Sequence, residues 1–254
     1  MEKINLNEFL LNIIKNKRLK KLIFENKIIV MQDIENYLDN IYKKSKDEKL
    51  SGEKVRGRVI ELVKKASIVT NFSVPDLLSR LDLKLSDQTI EALESFLAEL
   101  RSIFWLNDFG FTEILPLQAG KSIQSDFTAR FNEKMCAIEV FCLTQKHEQQ
   151  KDLTLNVYVN FDPNFTSSKF GRDFMSKAQK KKKQLDANIT AQMKILLCVL
   201  NSQPVIRLNT AEEMDYHAKF LYENLKWGKG YYVGILTGVE VNGKSSNTIY
   251  PKLV

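Results

Sequence analysis

The fold is decided by residues 124–146, which read Gln124-Ser-Asp-Phe-Thr-Ala-Arg-Phe-Asn-Glu-Lys-Met-Cys-Ala-Ile-Glu-Val-Phe-Cys-Leu-Thr-Gln-Lys146. Two runs with β propensity, Asp126–Phe131 and Lys134–Thr144, flank the pair Asn132-Glu133. A two-residue connection of this kind suits a tight turn between antiparallel strands. The sequence therefore predicts a β-hairpin here.

The register of this hairpin brings two acidic residues together. If Asn132 and Glu133 form the loop, counting outward places Asp126 directly opposite Glu139, with Cβ atoms about 4.5–5.5 Å apart. Like charges in that position destabilise a hairpin, and a divalent metal relieves the repulsion because Mg²⁺ binds one or two carboxylates at roughly 2.0–2.1 Å. The alternative is a register shifted by one or two residues, with both carboxylates in water.

Length and composition set the class of protein. The 254 residues allow one large domain or two modest ones, and a hydrophobic content of 44% is enough for a normal core. No apolar run reaches the roughly 18 residues of a membrane span. The N-terminus lacks the order of a signal peptide, and three cysteines without CxxC spacing predict reduced thiols and no structural zinc. We expect a cytoplasmic protein with no membrane partner.

The net charge of +7 favours acidic partners, of which nucleic acid is the commonest. The chain is also rich in Lys, Asn and Ile, a composition that AT-rich coding produces. Many of these lysines can therefore be a solvated surface with no ligand.

Residues 1–85 are predicted to be helical. An amphipathic stripe begins at Leu6 and ends at Ile14, a second helix covers Met31–Tyr42, and a third starts near Ser51. Ser73 and Pro75 have the types expected of the cap and first turn of a short helix. Such a region suits contact with DNA, and it equally suits packing, a homodimer or another protein partner.

From Ser86 onwards the patterns alternate between helix and strand. Ser86 is a plausible N-cap for a largely buried helix that stops before Gly110. The further predicted elements are the strands Phe111–Leu117, Leu153–Phe161, Met193–Leu200, Tyr231–Leu236 and Thr248–Leu253 and the helices Arg172–Ile189 and Ala211–Leu225. This order predicts an α/β fold with a mixed β-sheet flanked by helices at 86–254, preceded by a helical N-terminal region at 1–85.

Part of this pattern resembles a known family. The segments Phe96-Leu-Ala-Glu-Leu-Arg, Phe109-Gly-Phe, Ser125-Asp-Phe-Thr-Ala and Ile138-Glu-Val are similar to the core of the PD-(D/E)XK nuclease superfamily, which has the restriction-endonuclease-like fold. The resemblance covers about residues 86–200. Its motif has few constant letters and variable spacing.

The resemblance implies a metal-dependent nuclease acting on DNA rather than RNA. Asp126 and Glu139 would hold Mg²⁺ or Mn²⁺ together with the backbone carbonyl of Val140, and Glu99 would bind or orient the metal or its water. The metal would polarise the phosphodiester and lower the pKa of a bound water. A lysine would stabilise charge that develops on the phosphate.

The chain departs from the family at Phe141, which occupies the position of the motif lysine. Some members of the superfamily supply that lysine from another element, and Lys181 on the later helix is a candidate, with Lys177 as an alternative. Neighbouring side chains would bind nucleic acid, namely Lys177, Lys180, Lys183 and Gln184. The other interpretation is a catalytically degenerate nuclease-fold protein that binds nucleic acid or serves as an assembly module.

Overall fold

The computed structural model describes most of the chain, and its helices and strands alternate after an initial group of helices. The residues described are 31–44, 52–81, 83, 85–87, 89–118, 124–142, 169–200, 211–241 and 244–253. The helices are α1 (Met31–Lys44), α2 (Gly52–Thr70), α3 (Val74–Arg80), α4 (Ile90–Asp108), α5 (Lys169–Ala187) and α6 (Ala211–Leu225). The strands are β1 (Thr112–Pro116), β2 (Phe127–Phe131), β3 (Lys134–Cys142), β4 (Met193–Leu200), β5 (Tyr231–Val241) and β6 (Lys244–Tyr250).

The strands form one mixed sheet whose order follows the sequence, from β1 at one edge to β6 at the other. The central pairs β3–β4 and β4–β5 are parallel, while the three outer pairs are antiparallel. The α/β class with a mixed sheet and flanking helices is therefore confirmed. Parallel neighbours require a crossover connection, which is usually a helix. In the sequence, α5 lies between β3 and β4, and α6 lies between β4 and β5.

Each face of the sheet is covered by a separate hydrophobic cluster. On one face, α1 to α4 pack with alternate sheet residues such as Ile138 and Leu197. On the other face, α5 and α6 pack over Phe141, Leu196 and Val233. This alternation follows from the period of two along a strand. The helices before residue 85 share a core with α4 and the sheet, and the predicted domain boundary at 85/86 remains a prediction.

The start of α4 differs from the prediction. The N-cap is Thr89, whose hydroxyl accepts a hydrogen bond from the backbone N–H of Ala92, so Ser86 is not the cap. Asp87 accounts for the difference, because its carboxylate accepts hydrogen bonds from both the N–H and the hydroxyl of Thr89. This local turn delays the helix by three residues. Gly110 follows the helix with φ of +83°, as predicted for a residue just beyond a C-cap.

The hairpin has the predicted register. Phe131 pairs with Lys134, and the ladder continues to Phe127 opposite Ile138. Asn132 and Glu133 both have positive φ, 46° and 63°, as a two-residue turn of this hand requires.

Several other boundaries were predicted closely, and the last two strands need correction, since β5 continues past the predicted Leu236 to Val241. β4 and α6 have the predicted limits, and Ser73 caps α3 by accepting a hydrogen bond from the N–H of Asp76. The last strand runs from Lys244 to Tyr250 instead of starting at Thr248, because it pairs along the extended β5. The strand predicted at Leu153–Phe161 and the stripe from Leu6 to Ile14 lie outside the described residues.

Candidate functional site

The two acidic residues of the hairpin meet where the β2–β3 ladder ends. One step beyond the pair Phe127–Ile138, the backbone N–H of Asp126 donates to Glu139 Oε2 at 3.2 Å. In return, the backbone N–H of Val140 donates to Asp126 Oδ2 at 2.7 Å. Each carboxylate thus accepts a backbone hydrogen bond from the opposite strand, which holds both side chains in place.

Lys181 reaches this pair from α5. Its Nζ lies 2.5 Å from Glu139 Oε1 and 3.8 Å from Asp126 Oδ2. The Glu139 side chain has 0% of its surface exposed, whereas Asp126 and Lys181 expose 23% and 27%. The alternative of two solvated carboxylates is therefore wrong for Glu139. The open side of the site is formed by Asp126 and the ammonium of Lys181.

The electrostatics of the site favour cations. Burial raises the pKa of Glu139 to about 8, and the neighbouring charge of Asp126 adds to this effect while Lys181 opposes it. Burial disfavours the charge on Lys181, but Asp126, Glu139 and Glu99 outweigh burial and raise the pKa of Lys181. Burial thus favours the neutral form of Glu139, whereas the nearby carboxylates favour the charged form of Lys181.

Glu99 approaches the same site from the opposite cluster. It lies on α4 with a half-buried side chain, near enough to Lys181 for its charge to raise the pKa of that ammonium. The three carboxylates predicted to act together, Glu99, Asp126 and Glu139, are thus all electrostatically coupled to one lysine.

Phe141 follows Glu139 by two residues and faces the same side of the sheet. It is 5% exposed and packs against Phe174 of α5, with ring centroids 5.0 Å apart. An ammonium at position 141 would be buried in this apolar contact. Lys181, two turns after Phe174 on the same helix, brings a cation to the carboxylates instead.

The remaining residues predicted to bind nucleic acid divide into two groups. Lys177, Lys180 and Lys183 are exposed on α5. Gln184 is half-buried, and its side-chain amide donates to the backbone carbonyl of Gln124 at 3.4 Å, so it contacts the protein itself.

Asn188 contacts the segment around Asp126 and was not identified from the sequence. Asn188 Nδ2 donates to the hydroxyl of Ser125 at 2.9 Å, and that hydroxyl donates to the carbonyl of Phe127. The side chains at 181, 184 and 188 share one flank of the helical chain by their spacing. That spacing could have identified Asn188, because Gln184 and Asn188 contact Gln124 and Ser125, the two residues before Asp126.

The candidate metal ligands of the site are oxygen atoms, the donor type that suits Mg²⁺ and Mn²⁺. A carboxylate has about four lone-pair sites, so the hydrogen bonds to Glu139 from Lys181 and from the Asp126 N–H leave capacity for a metal. Carboxylate and carbonyl oxygens are the ligands that Mg²⁺ and Mn²⁺ prefer, and a cation could displace the proton that burial retains on Glu139. Among the described residues, no group of three or more His, Cys, Asp or Glu side chains is arranged to hold a metal.

Comparison of the chain with models of protein families, with curated proteins and with solved structures found no match. Within the described part of the chain, no helix is long and apolar enough to cross a membrane. No disulfide joins the three cysteines, which all lie in the described part of the chain.

Proposed function

We propose that this protein is a metal-dependent nuclease of the PD-(D/E)XK type, with a restriction-endonuclease-like core and DNA as substrate. One observation carries the proposal. Lys181 lies at the facing carboxylates of Asp126 and Glu139, although it is 42 residues from Glu139 in the sequence. This is the group that the motif lacks at Phe141. Two carboxylates can hold a divalent metal, and a lysine can stabilise charge that develops on a phosphate.

The proposed roles combine these contacts with the resemblance to the nuclease superfamily. Asp126, Glu139 and the carbonyl of Val140 would hold Mg²⁺ or Mn²⁺, and the bound metal would polarise the phosphodiester and lower the pKa of a bound water. Lys181, with its pKa raised, stays charged and stabilises negative charge developing on the phosphate. Glu99 assists from α4 by holding that ammonium or by orienting the water. Phe141 and Phe174 keep this part of α5 on the sheet.

A specific observation favours a second candidate function. Lys181 already neutralises part of the charge of Asp126 and Glu139 and makes a 2.5 Å contact with Glu139. An ammonium that occupies this position permanently would replace a metal. The protein would then be a nuclease-fold protein that binds nucleic acid or assembles with a partner, and it would not cleave.

The test measures Mn²⁺ binding by titration calorimetry and cleavage of labelled DNA and RNA by the same variants. Asp126→Ala and Glu139→Ala should each abolish Mg²⁺- or Mn²⁺-dependent cleavage and weaken Mn²⁺ binding. Their affinity for nucleic acid should remain, because phosphate contacts come from lysines. Lys181→Ala should lower the cleavage rate while Mn²⁺ binding persists.

Lys64→Ala is the control, because Lys64 is an exposed lysine of α2 to which no role at the site is assigned. If wild-type protein binds no Mn²⁺ and cleaves nothing, the second candidate takes over. Phe141→Lys tests the further case of a protein that binds Mn²⁺ but does not cleave. A pseudo-enzyme that retains its metal site should gain cleavage from it, whereas an active enzyme should gain little and lose stability at this buried position.

A further inference from the structure

A second polar cluster lies on the other flank of α5. Lys182 Nζ and Lys194 Nζ contact the two carboxylate oxygens of Asp186 at 2.6 and 2.7 Å. The hydroxyl of Tyr231 also donates to Asp186, and Lys182 donates to that hydroxyl at 3.0 Å. The cluster therefore joins α5 to the first residues of β4 and β5.

Aromatic rings hold these ammoniums in place. Lys182 Nζ and Lys194 Nζ lie 4.8 and 5.4 Å from the centroid of the Tyr231 ring. Trp227 makes an edge contact with the same ring at 5.4 Å. Lysines that are held by a carboxylate and an aromatic face lose less freedom when they bind a further anion.

The turn before β5 adds more positive charge. Lys226 and Lys229 flank Trp227 and are exposed, and Gly230 links the turn to β4 because its carbonyl accepts from the Lys194 N–H at 2.9 Å. We call the set of these residues the α5–β5 basic surface: Lys182, Lys183, Lys194, Lys226, Trp227, Lys229 and Tyr231. Lys183 belongs to it by helical spacing, since residues 179, 182, 183 and 186 share one flank of α5.

Among the described residues, the ion pairs of this surface join two lysines to a single carboxylate. That carboxylate is Asp186, and the two ammoniums are those of Lys182 and Lys194. Burial opposes the charge on Asp186, but hydrogen bonds from Lys182, Lys194 and Tyr231 outweigh it and lower its pKa to about 2. The carboxylate therefore stays ionised and keeps both lysines in position at neutral pH.

We infer that the α5–β5 basic surface binds the phosphate backbone of a nucleic acid and leads it to the candidate site. The inference rests on the proposed function. Lys181 and Lys182 are adjacent in α5 and point to opposite flanks, one towards Asp126 and Glu139 and the other towards Tyr231. A strand that lies across α5 would thus meet ordered ammoniums directly beside the carboxylates. Trp227 and Tyr231 supply the aromatic groups that accompany basic residues in such surfaces.

The test compares two double variants that lose the same charge. Lys226→Gln with Lys229→Gln removes the exposed part of the surface, and Lys64→Gln with Lys65→Gln removes two exposed lysines of α2. Binding of labelled single-stranded and duplex DNA is followed by fluorescence anisotropy in EDTA at several salt concentrations. The first variant should lose about tenfold in affinity at moderate salt, and its salt slope should fall by about 0.9 per lost duplex contact. The α2 variant should change little.

Tryptophan fluorescence gives a second readout. Trp227 is half-buried beside the surface, whereas Trp105 is 1% exposed inside the core. DNA binding should change the emission of wild-type protein, and Trp227→Phe should remove that change.

Equal losses in the two double variants would overturn the inference, because they would reflect net charge alone. Equal displacement of DNA by polyglutamate would overturn it too, since any acidic polymer would then fit. If Lys226→Gln with Lys229→Gln binds like wild type while Asp126→Ala abolishes cleavage, the inference fails and the proposed nuclease remains. If wild-type protein binds no nucleic acid, both fail.

Discussion

Glu139 is a fully buried carboxyl group whose partners include the Lys181 ammonium and the backbone N–H of Asp126. Lys181→Met would leave Glu139 without its cation. The carboxyl can respond by keeping its proton, since its pKa is already raised to about 8. We therefore expect a loss of about 1.5–3 kcal/mol in unfolding free energy, the value of a hydrogen bond to a charged group. Urea unfolding measures this loss.

Lys177→Met is the control for that prediction, because Lys177 is exposed on the same helix and should change stability little. The double variant Lys181→Met with Glu139→Gln should lose less than the sum of the two single changes, as expected for residues in contact. Additive losses would mean that the two side chains do not stabilise each other.

The raised pKa of Glu139 predicts that the stability of the protein depends on pH. The pKa of Glu139 is raised from its ordinary value of 4.5 to about 8, so the folded protein binds a proton that the unfolded chain releases within this range. The contribution of Glu139 to stability is therefore complete below 4.5 and is lost as the pH rises towards 8. Mn²⁺ competes with that proton, so its affinity should increase over the same window.

Glu139→Gln should remove this dependence, as measured by urea unfolding of the metal-free protein across the window. Asp186 does not interfere, because its lowered pKa of about 2 affects stability only in more acidic solution. If the unfolding free energy of the wild-type protein changes with pH no more than that of Glu139→Gln, this result would contradict the burial of an ionisable carboxyl at this position.

At the scale of elements, the hairpin holds a strain that one substitution should relieve. Glu133 is exposed and has a φ of 63°, a region that costs a residue with a side chain roughly 1–2 kcal/mol. Glycine does not have this conformational cost. It loses more conformational entropy on folding, however, and this reduces the gain in unfolding free energy by about 0.5–1 kcal/mol. Glu133→Gly should therefore raise the unfolding free energy by about 0.5–1 kcal/mol, measured by urea unfolding.

Glu133→Ala is the matched control, because it removes the charge and keeps the Cβ atom. It should give no stabilisation. A loss of stability in Glu133→Gly would show that the Glu133 side chain supports the turn more than its backbone conformation costs.

α5 is the element that joins the two candidate surfaces. Its apolar residues, including Phe174, Ala178 and Leu185, are buried. Polar residues on either side of this stripe point in different directions, with Lys181 at the β2–β3 carboxylates and Lys182 at the β5 tyrosine. The periodicity of the helix was readable in the sequence, because its stripe and its lysines follow a 3.6-residue repeat.

At the scale of the whole molecule, Gly234 allows α4 to pack on the centre of the sheet. A Cβ atom at this position would lie 2.8 Å from Leu197 Cδ1 and 3.1 and 3.2 Å from two ring atoms of Trp105. Gly234→Ala should lower the unfolding free energy by about 1–3 kcal/mol, as overpacking of a core does. Thermal and urea unfolding would both report the change.

Gly57→Ala is the matched control, because a Cβ atom at Gly57 meets nothing within 4 Å in helix α2. It should stabilise the protein by about 0.5–1 kcal/mol, since alanine loses less backbone freedom than glycine in a helix. Equal effects of the two substitutions would contradict the close packing of Trp105 on β5.

The sequence by itself determined the hairpin register, the order of most helices and strands, and the meeting of Asp126 with Glu139. These features depend on local rules: a two-residue loop leaves one register, and periods of 2 and 3.6 distinguish strand from helix. The incorrect prediction of Ser86 as the N-cap also arose from local interactions. Asp87 offered Thr89 a competing hydrogen bond, and propensity alone cannot rank the two turns.

Only the tertiary structure decided which lysine meets the carboxylates and that Glu139 is buried. Lys181 reaches Glu139 because the Phe141–Phe174 contact and the second hydrophobic cluster set where α5 crosses the sheet. No local pattern contains that information, since the position of a helix on a sheet depends on all the side chains packed between them. The clusters at Asp126 and Tyr231 likewise exist because packing turns the neighbours Lys181 and Lys182 towards different strands.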